Sequence, residues 1–241
     1  MTQKDDERKA LIESLCSLSS CVVASAIETF HVRLLNTGFA DSSIRCIFKD
    51  LPPMAGYAAT VRIRSSAPPM QGGSFYDECP GFYGRIDWWD HVMTVPPPRV
   101  LVIEDVDKPA GLGAFIGEVH ANVLLAMGCV GLVTNGAVRD LPAVRPTGFR
   151  MFAANVSVSH AYTHIVDFGG PVKIGGLEIQ PGDLIHGDLH GVQQIPLELS
   201  ERIPDVAYKI LQRRDELIRL CRSADFSFEK LREAMKKPSG C

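Results

Sequence analysis

Gly117, Glu118, Arg139 and Asp140 are the residues of this chain whose types and spacing could do chemistry. They stand at the two ends of one stretch, Gly117-Glu-Val-His-Ala-Asn-Val-Leu-Leu-Ala-Met-Gly-Cys-Val-Gly-Leu-Val-Thr-Asn-Gly-Ala-Val-Arg-Asp140. A glycine-led helix start presents backbone N–H groups and the positive end of a helix dipole, which favour a small carboxylate or phosphate. Arg139 adds a planar fork of donors that matches such an anion. Asp140 beside a bound anion is badly placed unless a positive charge stands between them, and a divalent cation with oxygen ligands is the simplest such charge. Glu118 could then hold that metal's waters. Residue types alone therefore describe an anion and metal site. The plain alternative is a surface ion pair between Arg139 and Asp140 on an ordinary α/β unit.

Elements must bring these residues together. Val100-Leu-Val-Ile103 is a wholly apolar, β-branched run, the pattern of a strand buried on both faces of a parallel sheet. Ala110-Gly-Leu-Gly-Ala-Phe-Ile-Gly117 reads as a loop feeding a helix, whose apolar residues Val119, Val123, Leu124 and Met127 recur near helical spacing before Gly128 caps it. Gly131-Leu-Val-Thr134 is a second buried-strand run, and Asn135-Gly136 is expected to turn the chain before Arg139 and Asp140. In a right-handed strand–helix–strand crossover, the loop after Ile103 and the turn after Thr134 share one sheet edge, where ligands of open α/β sheets bind. A dinucleotide site fits less well, since Gly111, Gly113 and Gly117 are spaced one residue off that fingerprint.

The pattern of Glu118, twenty intervening residues and Arg139-Asp140 resembles the signature of the class II pyruvate aldolases. These enzymes cleave 4-hydroxy-4-methyl-2-oxoglutarate and 4-carboxy-4-hydroxy-2-oxoadipate, and their relatives include the regulator of ribonuclease activity A. The likeness extends from Gly56-Tyr-Ala-Ala-Thr-Val61 through the central motif to Gln180–Val192 and the final helix. It implies a swivelling β/β/α three-layer sandwich of α/β class with helical N- and C-terminal additions, assembled as a homotrimer or hexamer with sites between subunits. Carried over residue by residue, it makes Asp140 the ligand of a Mg²⁺ or Mn²⁺ ion and gives Arg139 the substrate's carboxylate and keto end. Gly117 and the backbone amides of Val119 and His120 complete that cradle, and Glu118 orients metal-bound water. Glu216 matches a helical glutamate that the family projects into the neighbouring subunit's site.

Two departures stand out: Asn135 where most of these aldolases have Asp, and His190 where an Asp is common. The implied activity is metal-dependent cleavage of a 2-oxo acid through pyruvate enolate, by retro-aldol scission or oxaloacetate decarboxylation. A Schiff-base route is disfavoured because the motif holds no lysine; Lys108 precedes the glycine loop and Lys173 lies in strand-like sequence. The rivals are a non-catalytic binding protein resembling the ribonuclease regulators, and another enolate-forming lyase or hydrolase. The regulators lack the aspartate after the arginine, so Asp140 argues for an enzyme.

With 241 residues, 46% hydrophobic, the chain can bury its own core, and residues 1–241 read as one domain. A net charge of −3 gives no electrostatic footprint for nucleic acid. No apolar run approaches a membrane span and the charged start is no secretory leader, so the expected location is cytoplasmic. Seven cysteines without a disulfide or zinc spacing suit reduced thiols, with Cys241 open to oxidation between molecules.

Elsewhere, residues 5–31 are expected to be helical within an N-terminal helical segment, 1–35. Residues 58–64 suit a strand with one polar face, and 152–195 suit short strands and turns. Segment 65–93 is an insert rich in aromatics, among them Phe75, Tyr76, Phe82, Tyr83, Trp88 and Trp89. It reads as packing or a subunit contact; as a lid, Tyr83, Arg85 and Asp87 would be its polar contacts. His160 and His164 are four apart, as are His186 and His190, which on a strand merely puts each pair on one face. Asp183, His186, Asp188 and His190 form a chelating cluster on paper only. Residues 204–222 read as an amphipathic helix and 226–237 as a short one, within a C-terminal extension, 203–241.

Overall fold

Val100, Leu101, Val102 and Ile103 are all buried, although successive residues of a strand point to opposite faces. Strand β3 (Arg99–Asp105) is therefore covered on both sides, as its unbroken apolar run predicts. In the computed structural model, which describes residues 3–68 and 86–236, β3 lies at the centre of a nine-stranded sheet. Its parallel neighbours are β2 (Met54–Arg64) and β5 (Cys129–Val138), and β6 (Arg150–Val156) continues the parallel set beyond β5. Short β4 (Ala114–Ile116) pairs with the end of β5. Antiparallel strands flank this set: β1 (Arg45–Cys46) on β6, β7 (His164–Phe168) and β10 (Leu184–Asp188) on β2, and β11 (Gly191–Ile195) on β10.

Alternation divides the core into layers. Val100, Val102, Val133 and Phe152 face the separate hairpin of β8 (Val172–Ile174) and β9 (Leu177–Ile179). Leu101, Ile103, Leu132 and Met151 face helices α3 (Ile86–Thr94), α4 (Glu118–Ala126) and α5 (Leu141–Val144), through Trp88, Leu124 and Val144 among others. Hairpin, sheet and helices are the three layers of the expected β/β/α sandwich. A third cluster forms where α1 (Gln3–Cys16), α2 (Ser20–Glu28) and α6 (Ile203–Arg222) cover Ala55, Leu184 and Ile195.

The sheet nearly closes on itself. Phe39 bridges to Gln193 on β11, Ala40 N–H donates to the Val192 carbonyl at 2.9 Å, and a few residues later β1 pairs with β6. A Cβ on Gly187 of β10 would lie 2.9 Å from the Phe152 ring on β6, so the two outer parts of the sheet approach each other.

Several expectations need correction. The N-terminal segment is two helices meeting at 107°, because the Ser19 side chain caps α2 by accepting from Val22 N–H. Strand β2 begins earlier than residue 58 and is buried on both faces, since it is a central strand. Within the insert, Ile86–Thr94 is helical and Trp88 is fully buried against Phe115 and His120, which supports packing over a lid; Asp87 is exposed. Phe75, Tyr76, Phe82, Tyr83, Arg85 and Cys241 lie outside the described residues.

Within the paper chelate, His186 and Asp188 serve the helix junction, while Asp183 accepts the Gln180 N–H at 2.7 Å. His186 Nδ1 lies 3.1 Å from Ser20 Oγ and its Nε2 3.1 Å from the Leu15 carbonyl, while Asp188 accepts the Ser20 N–H at 2.9 Å and the His190 N–H at 2.9 Å. Burial pushes the His186 imidazole pKa down and keeps the ring neutral. Past Ala207, no described residue of α6 or of α7 (Phe228–Lys236) is fully buried, although Ile210 and Leu211 still pack against the helical cluster. The described cysteines 16, 21, 46, 129 and 221 are free thiols, and burial pushes Cys129 up to about 12. No single described helix is long and apolar enough to cross a membrane.

Leu101 is the plainest test of the layered core. Leu101→Ala should cost about 3–5 kcal/mol in chemical denaturation, because β3 is held by parallel strands on both sides and cannot collapse onto the cavity. A loss under about 1 kcal/mol would mean that this face is loosely packed.

Candidate active site at the start of helix α4

Parallel pairing of β4 with the end of β5 brings the two ends of the motif side by side. Ala114 pairs with Ala137 and Ile116 with Val138, and the Arg139 N–H donates to the Ile116 carbonyl at 3.1 Å. The next residues, Gly117-Glu118 on one strand and Asp140 on the other, are neighbours as a result. The shared sheet edge expected from the crossover is present, but two details differ. Residues 114–116 are a strand inside the presumed loop. Asn135-Gly136 lies within β5, not in a turn, and the β5–β6 register shifts between Thr134 and Ala137.

Asp140 adopts a left-handed backbone conformation, φ +57°, which an L-residue with a side chain rarely takes. There it caps α5, its carbonyl accepting the Ala143 and Val144 N–H groups at 3.0 Å. Its Oδ2 accepts the Glu118 N–H, the first of α4, at 3.2 Å, and its Oδ1 accepts from Arg139 Nε at 3.2 Å. Gly117 makes this possible: a Cβ there would stand 2.3 Å from Asp140 Oδ2 and 3.1 Å from Arg139 Cγ. Burial works against the charge, yet the Glu118 N–H, the Arg139 guanidinium and nearby His160 together hold the Asp140 carboxyl below the usual carboxylate range.

The remaining predicted residues fall into two groups. Glu118 and Val119 are exposed in the first turn of α4. The His120 side chain is buried, its Nδ1 3.0 Å from the Phe115 carbonyl, so any role at the site belongs to its backbone amide. Glu216 is not brought to this group within the chain: it is exposed on α6 and paired with Arg213, among elements that pack on α1 and α2.

A polar network fixes the glycine loop. The Asn135 amide accepts the Asp105 N–H at 2.7 Å and donates to the Asp105 carbonyl at 2.9 Å, a pairing that an Asp could not complete because it lacks the donor. Asp105 in turn accepts the Gly111 N–H at 2.7 Å, and Ser65 Oγ accepts the Gly113 N–H at 3.2 Å. Asp107 accepts from Ser65 and Ser66 N–H at 2.6 and 2.7 Å and from Arg64 at 3.2 Å. Burial raises its carboxyl pKa, but these donors outweigh burial and leave it lowered.

Sequence reasoning missed this network because its members are dispersed over seventy positions. It missed His160 as a neighbour of Asp140 too, since the only signal was its even spacing from His164.

Among the described residues no group of three His, Cys, Asp or Glu side chains is assembled for a metal. A closed tetrahedral site is therefore not what this donor set suits. One ionised carboxylate at a strand end suits a hard cation that keeps most of its waters, and Asp140 is the residue that could hold it.

Comparison with known proteins bears on this geometry. The family model described as RraA-like, Aldolase/RraA, matches residues 21–193. A Halalkalibacterium halodurans protein with the provisional name 4-hydroxy-4-methyl-2-oxoglutarate aldolase is 33% identical over 114 residues, 47% of this chain and 53% of that protein. The chain thus spans about half the length of that relative. An uncharacterized Pseudomonas syringae protein superposes with a TM-score of 0.69 at 20% identity, covering 93% of this chain and 97% of that one. Streptomyces coelicolor RraAS2, an unusual member of the RNase ES inhibitor RraA family, gives 0.64 at 23% identity, covering 86% and 94%. At such identities the structural likeness carries the fold alone.

Two substitutions probe the geometry. Gly117→Ala should cost only about 1 kcal/mol of stability, because the displaced atom is the end of a side chain. It should nevertheless swing the Asp140 carboxylate off the Glu118 N–H, so that its carboxyl resonance titrates at higher pH than in the parent; an unmoved titration would refute the cap. Asp107→Asn should lose about 1–3 kcal/mol near neutral pH. The contribution of a depressed carboxyl is present above the unfolded-state pKa and lost as pH falls through the lower folded value. The stability gap between parent and variant should therefore close in acid, as denaturation at a series of pH values will measure.

Proposed function

The chain belongs to the RraA-like, aldolase/RraA family, and on that premise we propose that it is a divalent-metal-dependent lyase acting on a 2-oxo acid. It breaks a carbon–carbon bond through pyruvate enolate, in retro-aldol cleavage of a 4-hydroxy-4-methyl-2-oxoglutarate type of substrate or in decarboxylation of oxaloacetate. The observation that carries this reading is Asp140, kept ionised beside Arg139 at the start of α4. The 33% identical relative with an aldolase name supports it.

Arg139 and the first-turn amides of Val119 and His120 orient the substrate's carboxylate, with Gly117 keeping the approach open. The same positive groups stabilise the charge that develops on the 2-oxo oxygen as the bond breaks. Asp140 would hold Mg²⁺ or Mn²⁺, which when bound supplies a Lewis acid for that oxygen. Exposed Glu118 lies beside this carboxylate and can accept hydrogen bonds from water at the site. We extend the reading to a cytoplasmic homotrimer or hexamer, in which Glu216 of α6 would serve a neighbouring copy.

One observation favours a second reading, a non-catalytic regulator. Arg139 is already paired with Asp140 within the chain, as a plain surface ion pair would be.

The two readings part on one assay, pyruvate release from oxaloacetate and from 4-hydroxy-4-methyl-2-oxoglutarate, with Mg²⁺ or Mn²⁺ present or chelated and metal-only background subtracted. The lyase should turn over in a metal-dependent way, and Asp140→Asn should lose about 100-fold or more while staying folded. Absence of turnover in the folded, metal-supplied protein would favour the regulator.

A further inference from the structure

A cavity of about 620 Å³ opens between the last turn of α2 and the chain that follows it, with Ser25, Glu28, Arg33, Leu34 and Leu35 in its wall. That volume is within the range of sites that hold small molecules. It adjoins β11, and none of its lining residues belongs to the group at Asp140.

The local chain builds the cavity in two steps. The Phe30 and His31 N–H groups bond back to the Ile27 and Glu28 carbonyls at 3.1 and 3.2 Å, and His31 then takes a left-handed backbone, φ +53°, that ends the helical course. Beyond it the segment is tied to β11: Arg33 Nη1 donates to the Gln194 carbonyl at 2.8 Å, and the Gln194 N–H donates to the Gly38 carbonyl at 2.9 Å. Gly38 lies flat against the guanidinium, since a Cβ there would stand 2.1 Å from Arg33 Cζ. The protein itself thus holds the Arg33 fork in place.

The wall carries both signs of charge and an apolar face. Arg33 has five N–H donors, and among the described residues its one hydrogen-bond acceptor is the Gln194 carbonyl. Burial pushes the Arg33 pKa down while the charge of Glu28 opposes that shift. Glu28 closes α2 at the negative end of the helix dipole, which favours a cation. Neither its carboxylate nor the Ser25 hydroxyl one turn earlier makes a side-chain hydrogen bond among the described residues. Leu34 and Leu35 stand side by side, 72% and 69% exposed. A simple anion would face Glu28, a simple cation would face Arg33, and an apolar molecule would leave both charges without partners. We propose that this cavity binds a free α-amino acid with an apolar side chain, its carboxylate on Arg33, its ammonium on Glu28 and its side chain against Leu34 and Leu35. The site is separate from the reaction proposed at Asp140.

Calorimetric titration of the full chain with L-leucine tests the assignment. L-Leucine should saturate with a dissociation constant of about 1 mM or lower. Leucinamide lacks the carboxylate, 4-methylpentanoate lacks the ammonium and glycine lacks the apolar body, so each should bind about 10-fold more weakly or worse. Arg33→Gln should weaken L-leucine by a similar factor of about 10, as should Glu28→Gln, an isosteric change at an exposed position that guards against a misfolded Arg33 variant. No saturation by about 20 mM L-leucine, equal affinity for leucine and its amide, or unchanged affinity in the Glu28 variant would overturn the site. Leu34→Ser, compared with the parent by sedimentation, reports the other occupant. If it splits an oligomer and L-leucine does not bind the parent, the leucines belong to a contact between copies and the amino-acid site is refuted.

Discussion

A carboxylate can sit against the first N–H of a helix only where nothing occupies the space between them. At Gly117 that space is the volume of a missing methyl group, and the Asp140 carboxylate fills it. The other features of the site follow from this contact. Pairing of β4 with the end of β5 sets the distance, the left-handed backbone at Asp140 turns its side chain back toward α4, and the Arg139 stem passes over the same glycine. The electrostatic result is a carboxylate that stays charged although burial opposes it, because a helix end and a guanidinium face it. The site thus begins with a negative charge already stabilised.

What could be read from the residues was what local chemistry fixes. The buried runs at 100–103 and 131–134 became parallel neighbours because unbroken β-branched sequence suits a strand covered on both faces. The glycine before Glu118 marked the helix start, and the crossover rule put Arg139 and Asp140 at that edge. Long-range partners were not legible. Asn135-Gly136 has the composition of a turn, but the Asn135 side chain completes the hydrogen bonding of Asp105 in the neighbouring strand and the chain runs on through β5. Ala114–Ile116 lies between glycines and becomes a strand only because β5 extends far enough to pair with it. Trp88 gave an aromatic signal without a period, and its helix owes its stability to the core beneath it.

The departure at Asn135 has a physical sense in this setting. An amide both donates and accepts, so one side chain satisfies both main-chain groups of Asp105, and Asp105 can then hold the glycine loop through Gly111. Family membership accounts for the scaffold, and the loop behind the site is held by Asn135, Asp105 and Ser65. Fold likeness at 20–23% identity extends to an uncharacterized protein and to a member of an inhibitor family alike, so activity must be argued from the site.

The nearly closed sheet has a consequence for solubility. An open sheet ends in rows of unpaired backbone groups that can template the strand of another molecule. Here one short crossing, from Phe39 at β11 to Cys46 at β6, occupies both ends of the strand path. A few residues, anchored in the core by buried Ile44, therefore shield two edges at once. Fraying of that crossing would uncover Ile44 and leave the molecule with two aggregation-prone margins.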